Sequence, residues 1–177
     1  MQSPITSDTP HVVTGARGSR FVFSPRARLA LLTVHIIFSV GLLGDSAGFL
    51  AVAIRTTMTD DPRTVIELVN VLNMFSVVFG IPLSFASLIT GVALGLGTRW
   101  GVFRYPWVTA KLLLIVSVMC VGTFFIGPAE SALREGIADW ASNQLIAAGV
   151  YDVLALTLAT TLGVFKPGGP FRRSVGS

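Results

Sequence analysis

Charge and cysteine are the two features that this sequence has little of. Only 12% of its 177 residues are charged, and Cys120 is its one cysteine. A single cysteine can form neither an internal disulfide nor a CxxC metal or redox site. The sequence also lacks a GxxxxGK[ST] phosphate loop, an HExxH metal motif and a GxSxG motif with a plausible partner histidine. These absences predict that the protein is not an enzyme.

Hydrophobic residues, by contrast, make up 52% of the chain, which is more than an ordinary soluble domain contains. They form four long runs, and lysines and arginines lie at the edges of these runs. Such a distribution is typical of loops beside a membrane, and it argues against nucleic acid as a partner despite the formal net charge of +4. We therefore predict an all-α fold, a four-helix transmembrane bundle in a lipid bilayer. Its predicted spans are residues 29–54, 64–96, 107–126 and 143–165.

Two polar segments flank this transmembrane domain. Residues 1–28 have no apolar face to bury and are predicted to be a disordered tail, and residues 166–177 form a short basic tail. The run at 29–54 contains no lysine or arginine and is longer than the core of a signal peptide, although Ala51-Val52-Ala53 looks like a cleavage site. We interpret this run as the first transmembrane helix.

Prolines and glycines mark the ends of the other spans. Asp61 before Pro62 is a good helix start, and Pro82 is expected to kink the second helix because proline cannot donate a backbone hydrogen bond. Gly127-Pro128 is predicted to end the third helix. Residues 130–140 have one apolar and one charged face, and this pattern predicts a short interfacial helix before the fourth span.

The distribution of basic residues predicts the orientation of the chain. The two tails and the second connection, which includes Lys111, hold ten lysines and arginines, whereas the first and third connections hold three. Because short basic loops resist translocation, both termini are predicted to be cytoplasmic.

The stretch from residue 81 to residue 118 resembles part of a known family. Its most specific part runs from Gly97-Thr98-Arg99-Trp100-Gly101 to Lys111, and Val34-His35 and Phe165-Lys166-Pro167 are also similar. The family comprises small bacterial integral membrane proteins of unknown function, common in actinobacteria, and the resemblance covers about residues 29–169. It implies a four-helix, multi-pass protein of the bacterial cytoplasmic (inner) membrane, and it supplies no activity or catalytic residues. A more distant similarity to copper-resistance membrane proteins of the CopD kind supports no site.

Two aspartates are predicted to lie at membrane depth. Counted along their helices from the nearer membrane boundary, Asp45 is about 15 Å deep and Asp152 about 18 Å deep, so they could face each other. A buried charge in a bilayer is costly, and two neighbouring carboxylates repel each other. The pair is therefore a candidate site for a proton, a cation or a small polar ligand. The alternative is that each aspartate is a protonated side chain that serves only the fold.

Four further polar residues are predicted to extend this site. Glu67, Asn70 and Asn73 are spaced at i, i+3 and i+6 on the outer part of the second helix, and Tyr151 adds a hydroxyl group beside Asp152.

Metal and cofactor sites receive little support. His35 is a weak metal or haem ligand candidate, because the other histidine, His11, lies in the tail. A hydrogen bond from His35 to a neighbouring helix is the preferred interpretation. Copper binding through Met74, Met119 and Cys120 is weaker still, because these residues also pack as ordinary apolar side chains. We therefore expect no metal site and no cofactor.

A basic group lies near the cytoplasmic ends of the second and third helices. Arg99, Arg104 and Lys111 could bind an anionic lipid headgroup or phosphate, or Lys111 could extend along lipid to place its ammonium at the interface.

Three classes of function remain. The preferred one is an accessory or structural membrane subunit whose helix faces bind a membrane-protein partner or a second copy. The alternative is a small transporter that uses the aspartate pair, and the second alternative is a haem- or copper-binding membrane protein.

Overall fold

The computed structural model describes residues 23–97, 105–136 and 139–165, and these form four long helices. We number them α1 (Pro25–Thr56), α2 (Pro62–Leu96), α3 (Pro106–Arg134) and α4 (Asp139–Phe165). All four are long and apolar enough to cross a membrane, which confirms the predicted fold class. Most of the predicted tail at 1–28, and all of the tail at 166–177, lie outside the described residues.

The first two helices begin at capping residues that supply oxygen acceptors to free backbone N–H groups. Ser24 Oγ accepts from the N–H of Ala27 at 3.3 Å, and α1 therefore begins four residues before the predicted start. Asp61 Oδ2 accepts from the backbone N–H of Thr64 at 3.1 Å and from its hydroxyl group at 2.6 Å. Proline follows each cap, as expected at the first helical position.

Each helix runs antiparallel to its two neighbours. Along α1 and α2, Gly48 meets Phe75 and His35 meets Gly91, so residue numbers fall on one helix as they rise on the other. Helix α4 packs against α1 and α3, and α2 packs against α3, which closes the ring of four. We call the end that holds the turns at 57–61 and 135–136 the turn end. The opposite end, which holds Phe23 and Gly97, is the entry end.

Two of the helices contain a wide π-helical turn before a proline. The wide turns are Phe75–Gly80 in α2, before Pro82, and Gly122–Ile126 in α3, before Pro128. A proline ring clashes with the carbonyl four residues earlier and leaves it without a donor, and widening the turn moves that carbonyl away. The predicted end of the third helix at Gly127-Pro128 is therefore wrong, because α3 continues to Arg134.

The segment expected to form a short interfacial helix is divided between two longer helices. Glu130 and Leu133 belong to the last turns of α3 and are buried, with 4% and 8% of their surface exposed. Trp140 belongs to the first turn of α4 and is exposed. The sequence pattern at 130–134 is genuine, but its apolar face packs on the bundle.

The buried apolar side chains form two clusters at different depths. The larger, near the turn end, includes Phe49 on α1 and Ala148 on α4. The smaller, nearer the entry end, includes Leu42 on α1 and Ala155 on α4. Many large apolar side chains outside these clusters are exposed on the surface, as expected for helices that face lipid. The level between the two clusters is where both intramembrane aspartates lie.

Candidate functional site

Asp45 and Asp152 lie at nearly the same depth and close to each other. Gly149 of α4 packs directly on α1, where a Cβ added to it would lie 3.2 Å from Leu50 Cβ. From this contact, antiparallel helices place Asp152 within two residues, or about 3 Å, of the level of Asp45. Asp45 is near enough for its negative charge to act on the Asp152 carboxyl group. The structure thus brings the two predicted carboxyl groups together.

In the described part of the chain, each aspartate has one carboxyl oxygen without a hydrogen-bond partner. Oδ1 of Asp45 and Oδ1 of Asp152 are buried, and neither has a hydrogen-bond partner among the described residues. Only 7% of the surface of Asp152 is exposed. Asp45 lies against the wide turn of α2, where a Cβ added to Gly80 would be 3.3 Å from Asp45 Oδ2. Buried polar groups in proteins are nearly always paired, so two unpaired oxygens at one level make this part of the bundle a candidate binding site.

A third buried carboxyl group lies nearer the turn end. Glu130 of α3 accepts a hydrogen bond from Asn73 Nδ2 at 3.0 Å and another from Ser76 Oγ at 2.9 Å. One turn further along α3, Arg134 donates to Asn70 Oδ1 at 2.8 Å. Sequence reasoning placed Glu130 on a surface helix and missed this site. Only the pairing with Asn73 and Ser76, more than fifty residues away in the chain, identifies it.

The predicted polar stripe of α2 divides between the surface and the Glu130 site. Glu67 and Asn70 are exposed, whereas Asn73 bonds Glu130 and does not reach the aspartates. The spacing accounts for this division, because each step of three residues rotates a side chain by about 60° around the helix. Tyr151 also points away from the pair, since its hydroxyl group donates to Ser117 Oγ of α3 at 2.7 Å.

Hydroxyl groups and His35 continue the polar interior towards the entry end. Ser39 and Ser87 have their hydroxyl oxygens 3.1 Å apart across α1 and α2. His35 Nδ1 is 2.9 Å from Thr90 Oγ1, which is the interhelical hydrogen bond expected for this histidine. The imidazole also makes a hydrogen bond to the backbone of Ser87, on the same helix as Thr90.

Lys111 of α3 lies inside the bundle at this end. A Cβ added to Gly163 would lie 2.8 Å from Lys111 Nζ, so the ammonium group packs directly on α4. Its charge also acts on His35. The predicted partners of Lys111 in a lipid site, Arg99 and Arg104, lie outside the described residues, and the structure therefore does not group the three.

These groups form what we call the polar column, a series of polar side chains that the four helices place at successive depths of the bundle. From Ser76 to Thr90 it extends over fourteen residues of α2, or about 21 Å of a hydrocarbon core about 30 Å thick. From the turn end to the entry end its members are Glu130, Ser76, Asp45, Asp152, Ser84, Ser39, Ser87, His35, Thr90 and Lys111.

A metal site and a catalytic serine have less support in the described part of the chain. Across residues 23–97, 105–136 and 139–165, no three His, Cys, Asp or Glu side chains gather to hold a metal ion. The letters of a GxSxG motif do occur at 44–48, but they lie within α1. A catalytic serine of that motif needs a sharp turn between a strand and a helix.

Comparison with known proteins agrees with this architecture. No curated protein and no solved structure matches the chain. A sequence model of the DUF2269 family, described as predicted integral membrane proteins, does match residues 29–167. The match covers all four helices, and the chain therefore belongs to the DUF2269 family of integral membrane proteins.

Proposed function

We propose that this protein is a small proton-coupled membrane transporter in which Asp45 and Asp152 share one proton. The observation that supports the proposal is the pair of buried carboxyl oxygens, one on each aspartate, that have no partner among the described residues. A proton between the two carboxyl groups would give one of them a donor and the other an acceptor.

Electrostatics favours an aspartate pair that holds one proton over a pair in which both carboxyl groups are charged. Two charges 4 Å apart interact by about 4 kcal/mol at an effective dielectric constant of about 20, and the interaction increases as water is excluded. Adding one proton removes this repulsion and forms a charge-assisted O–H···O hydrogen bond, which is roughly twice as strong as a neutral one. The site can therefore hold and release a proton without any other ligand.

A proton also suits the donor set better than a metal ion. Hard cations such as Ca²⁺ take roughly six to eight oxygen ligands, whereas two carboxyl groups are sufficient to bind a proton. The described residues hold no group of three acidic or metal-binding side chains. The third buried carboxyl group, Glu130, is already hydrogen bonded to Asn73 and Ser76.

The proposal also states which membrane holds the protein and on which side its two termini lie. The excess of basic residues in the tails and the second connection supports the bacterial cytoplasmic membrane with both termini inside. The turn end would then face outwards, and the polar column would join the outer face to Lys111 on the inner side.

The accessory-subunit role predicted from the sequence stays a prediction. Its support was a set of small residues on helix faces, and several of these are now assigned to contacts within the chain: Gly48 with Phe75, Gly80 with Asp45, and Gly91 with His35. The polar column is a more specific feature, and it favours transport.

Labelling with dicyclohexylcarbodiimide tests the proposal, because this apolar reagent reacts with protonated carboxyl groups in apolar surroundings. We expect peptide mapping of the purified protein at neutral pH to find label on Asp45 or Asp152. The double variant D45N/D152N should lose this label. The exposed carboxyl groups of Asp60 and Glu135 are the internal controls, and they should stay unlabelled.

Two results would count against the proposal. Absence of label from both aspartates at neutral pH would show that neither holds a proton. Protection of the aspartates by Na⁺, K⁺ or Li⁺ at constant pH and ionic strength would show that the site binds a metal cation instead.

A further inference from the structure

Glu130 is the buried carboxyl group that the aspartate pair does not include. It is 4% exposed, so it is removed from water more completely than Asp152. Its two bonds come from an amide of Asn73 and a hydroxyl group of Ser76, both on α2. A buried ionisable side chain of this kind in a membrane helix indicates a functional role, because its burial costs free energy.

The wide turn of α2 joins Glu130 to the aspartate pair. Ser76, which bonds Glu130, and Gly80, which lies against Asp45, are four residues apart in the wide turn, slightly less than one full turn, and therefore lie close to the same face. Ser76 Oγ also lies 3.1 Å from the carbonyl oxygen of Leu72. Since a hydroxyl group has one hydrogen, it bonds one of these two acceptors at a time and can rotate between them.

Charged groups lie on two sides of Glu130. Asp45 of α1 and Asp152 of α4 lie deeper in the bundle, beyond the wide turn. Towards the turn end, Arg134 of α3 bonds Asn70 of α2. Glu130 thus lies between a solvent-facing polar pair and the aspartates.

We infer that Glu130 and Ser76 form the path by which protons pass between the turn end and the Asp45–Asp152 pair, an inference that rests on the proposed function. A proton from the turn end binds the Glu130 carboxylate. Glu130 then transfers a proton to Ser76 Oγ as the hydroxyl group releases its own towards the carboxylate of Asp45, so Ser76 ends neutral. Rotation of the Asp45 side chain or one bridging water completes the last step.

Proton flux into vesicles tests this path. The purified protein is reconstituted with a pH-sensitive dye inside, and internal acidification is followed after an external acid jump. We expect E130Q to reduce the protein-dependent rate by roughly 10²-fold, the lower range of what a positioned proton donor contributes. S76A, which removes only the hydroxyl group, should reduce the rate as well.

Matched controls lie on the same helix and turn. E135Q changes an exposed glutamate five residues from Glu130, and S131A removes an exposed hydroxyl group that donates to the carbonyl oxygen of Gly127. Both should conduct like the unaltered protein. Carbodiimide labelling of Asp45 or Asp152 in E130Q should be retained, because the path affects the rate of proton transfer and not the occupancy of the pair.

The outcomes separate the path from the proposed function. Normal flux in both E130Q and S76A, together with loss of flux in D45N/D152N, would overturn the path and leave the aspartate site standing. Reduced flux with lost labelling in S76A would also overturn it, because the hydroxyl group would then act on occupancy. Absence of protein-dependent flux in the unaltered protein would overturn both. If E130Q does not fold, the proton flux of S76A alone decides whether the path is correct.

Discussion

Replacing Gly149 with alanine tests the close contact that brings Asp152 to the level of Asp45. A Cβ at this position would lie 3.2 Å from Leu50 Cβ and 3.3 Å from Leu50 Cα. The second of these atoms belongs to the backbone of α1, so the new methyl group can be accommodated only if α1 and α4 move apart. The matched control is Gly44 on α1, where an added Cβ meets nothing within 4 Å.

Two opposing effects set the change in the free energy of unfolding. Alanine in place of glycine within a helix stabilises the folded state by about 0.5–1 kcal/mol, because glycine loses more backbone entropy on folding. Overpacking a close contact costs about 1–3 kcal/mol. G44A experiences only the first effect and should be more stable than the unaltered protein. G149A experiences both and should be less stable than G44A by about 1–3 kcal/mol.

The unfolding free energies of G44A and G149A can be measured by circular dichroism in mixed micelles of a mild and a denaturing detergent. Vesicle flux should fall in G149A as well, since the aspartates would be displaced from each other. If G149A is as stable as G44A and conducts normally, the packing of α1 on α4 differs from the one described.

Two further predictions concern single hydrogen bonds. The pKa of Asp61 is lowered chiefly by the hydrogen bond from the Thr64 hydroxyl group, and also by the one from the Thr64 backbone N–H. This cap therefore stabilises the fold at pH values above the pKa of Asp61 in the unfolded chain, and the stabilisation is lost as the pH falls through its lower pKa in the folded protein. Unfolding free energies measured at a series of acidic pH values should therefore fall more steeply in the unaltered protein than in D61A, and parallel curves would contradict this. Y151F removes the 2.7 Å bond to Ser117 and should destabilise the bundle by about 0.6 kcal/mol, the mean for such bonds in a membrane protein, whereas no change would indicate that Tyr151 faces lipid unpaired.

The sequence predicted the helices well because bilayer thickness imposes a length on each apolar run. Every predicted span lies within an observed helix, and Asp61-Pro62 begins α2 as expected. The error at Gly127-Pro128 has a physical cause. Such a pair often ends a helix in a soluble protein, whereas here the wide turn at Gly122–Ile126 lets the helix continue past Pro128.

The site was less accessible to sequence reasoning than the fold. The depths of Asp45 and Asp152 follow from counting residues, and the contact of Gly149 with Leu50 places the two at nearly the same level. Glu130 could not be found in this way, because its charged neighbour Arg134 makes the local pattern look like a surface helix. The inward position of Glu130 depends on donors from α2, and no local pattern contains that information.

Infrared spectroscopy of the carboxyl groups tests most directly whether the two aspartates hold one proton. Protonated carboxylic acids have a carbonyl stretch that carboxylates lack. We expect the purified protein at neutral pH to show this band with an intensity of one group per chain, and the band to persist in E135Q and disappear in D45N/D152N. A spectrum without the band at neutral pH, or a band that survives in the double variant, would contradict the account.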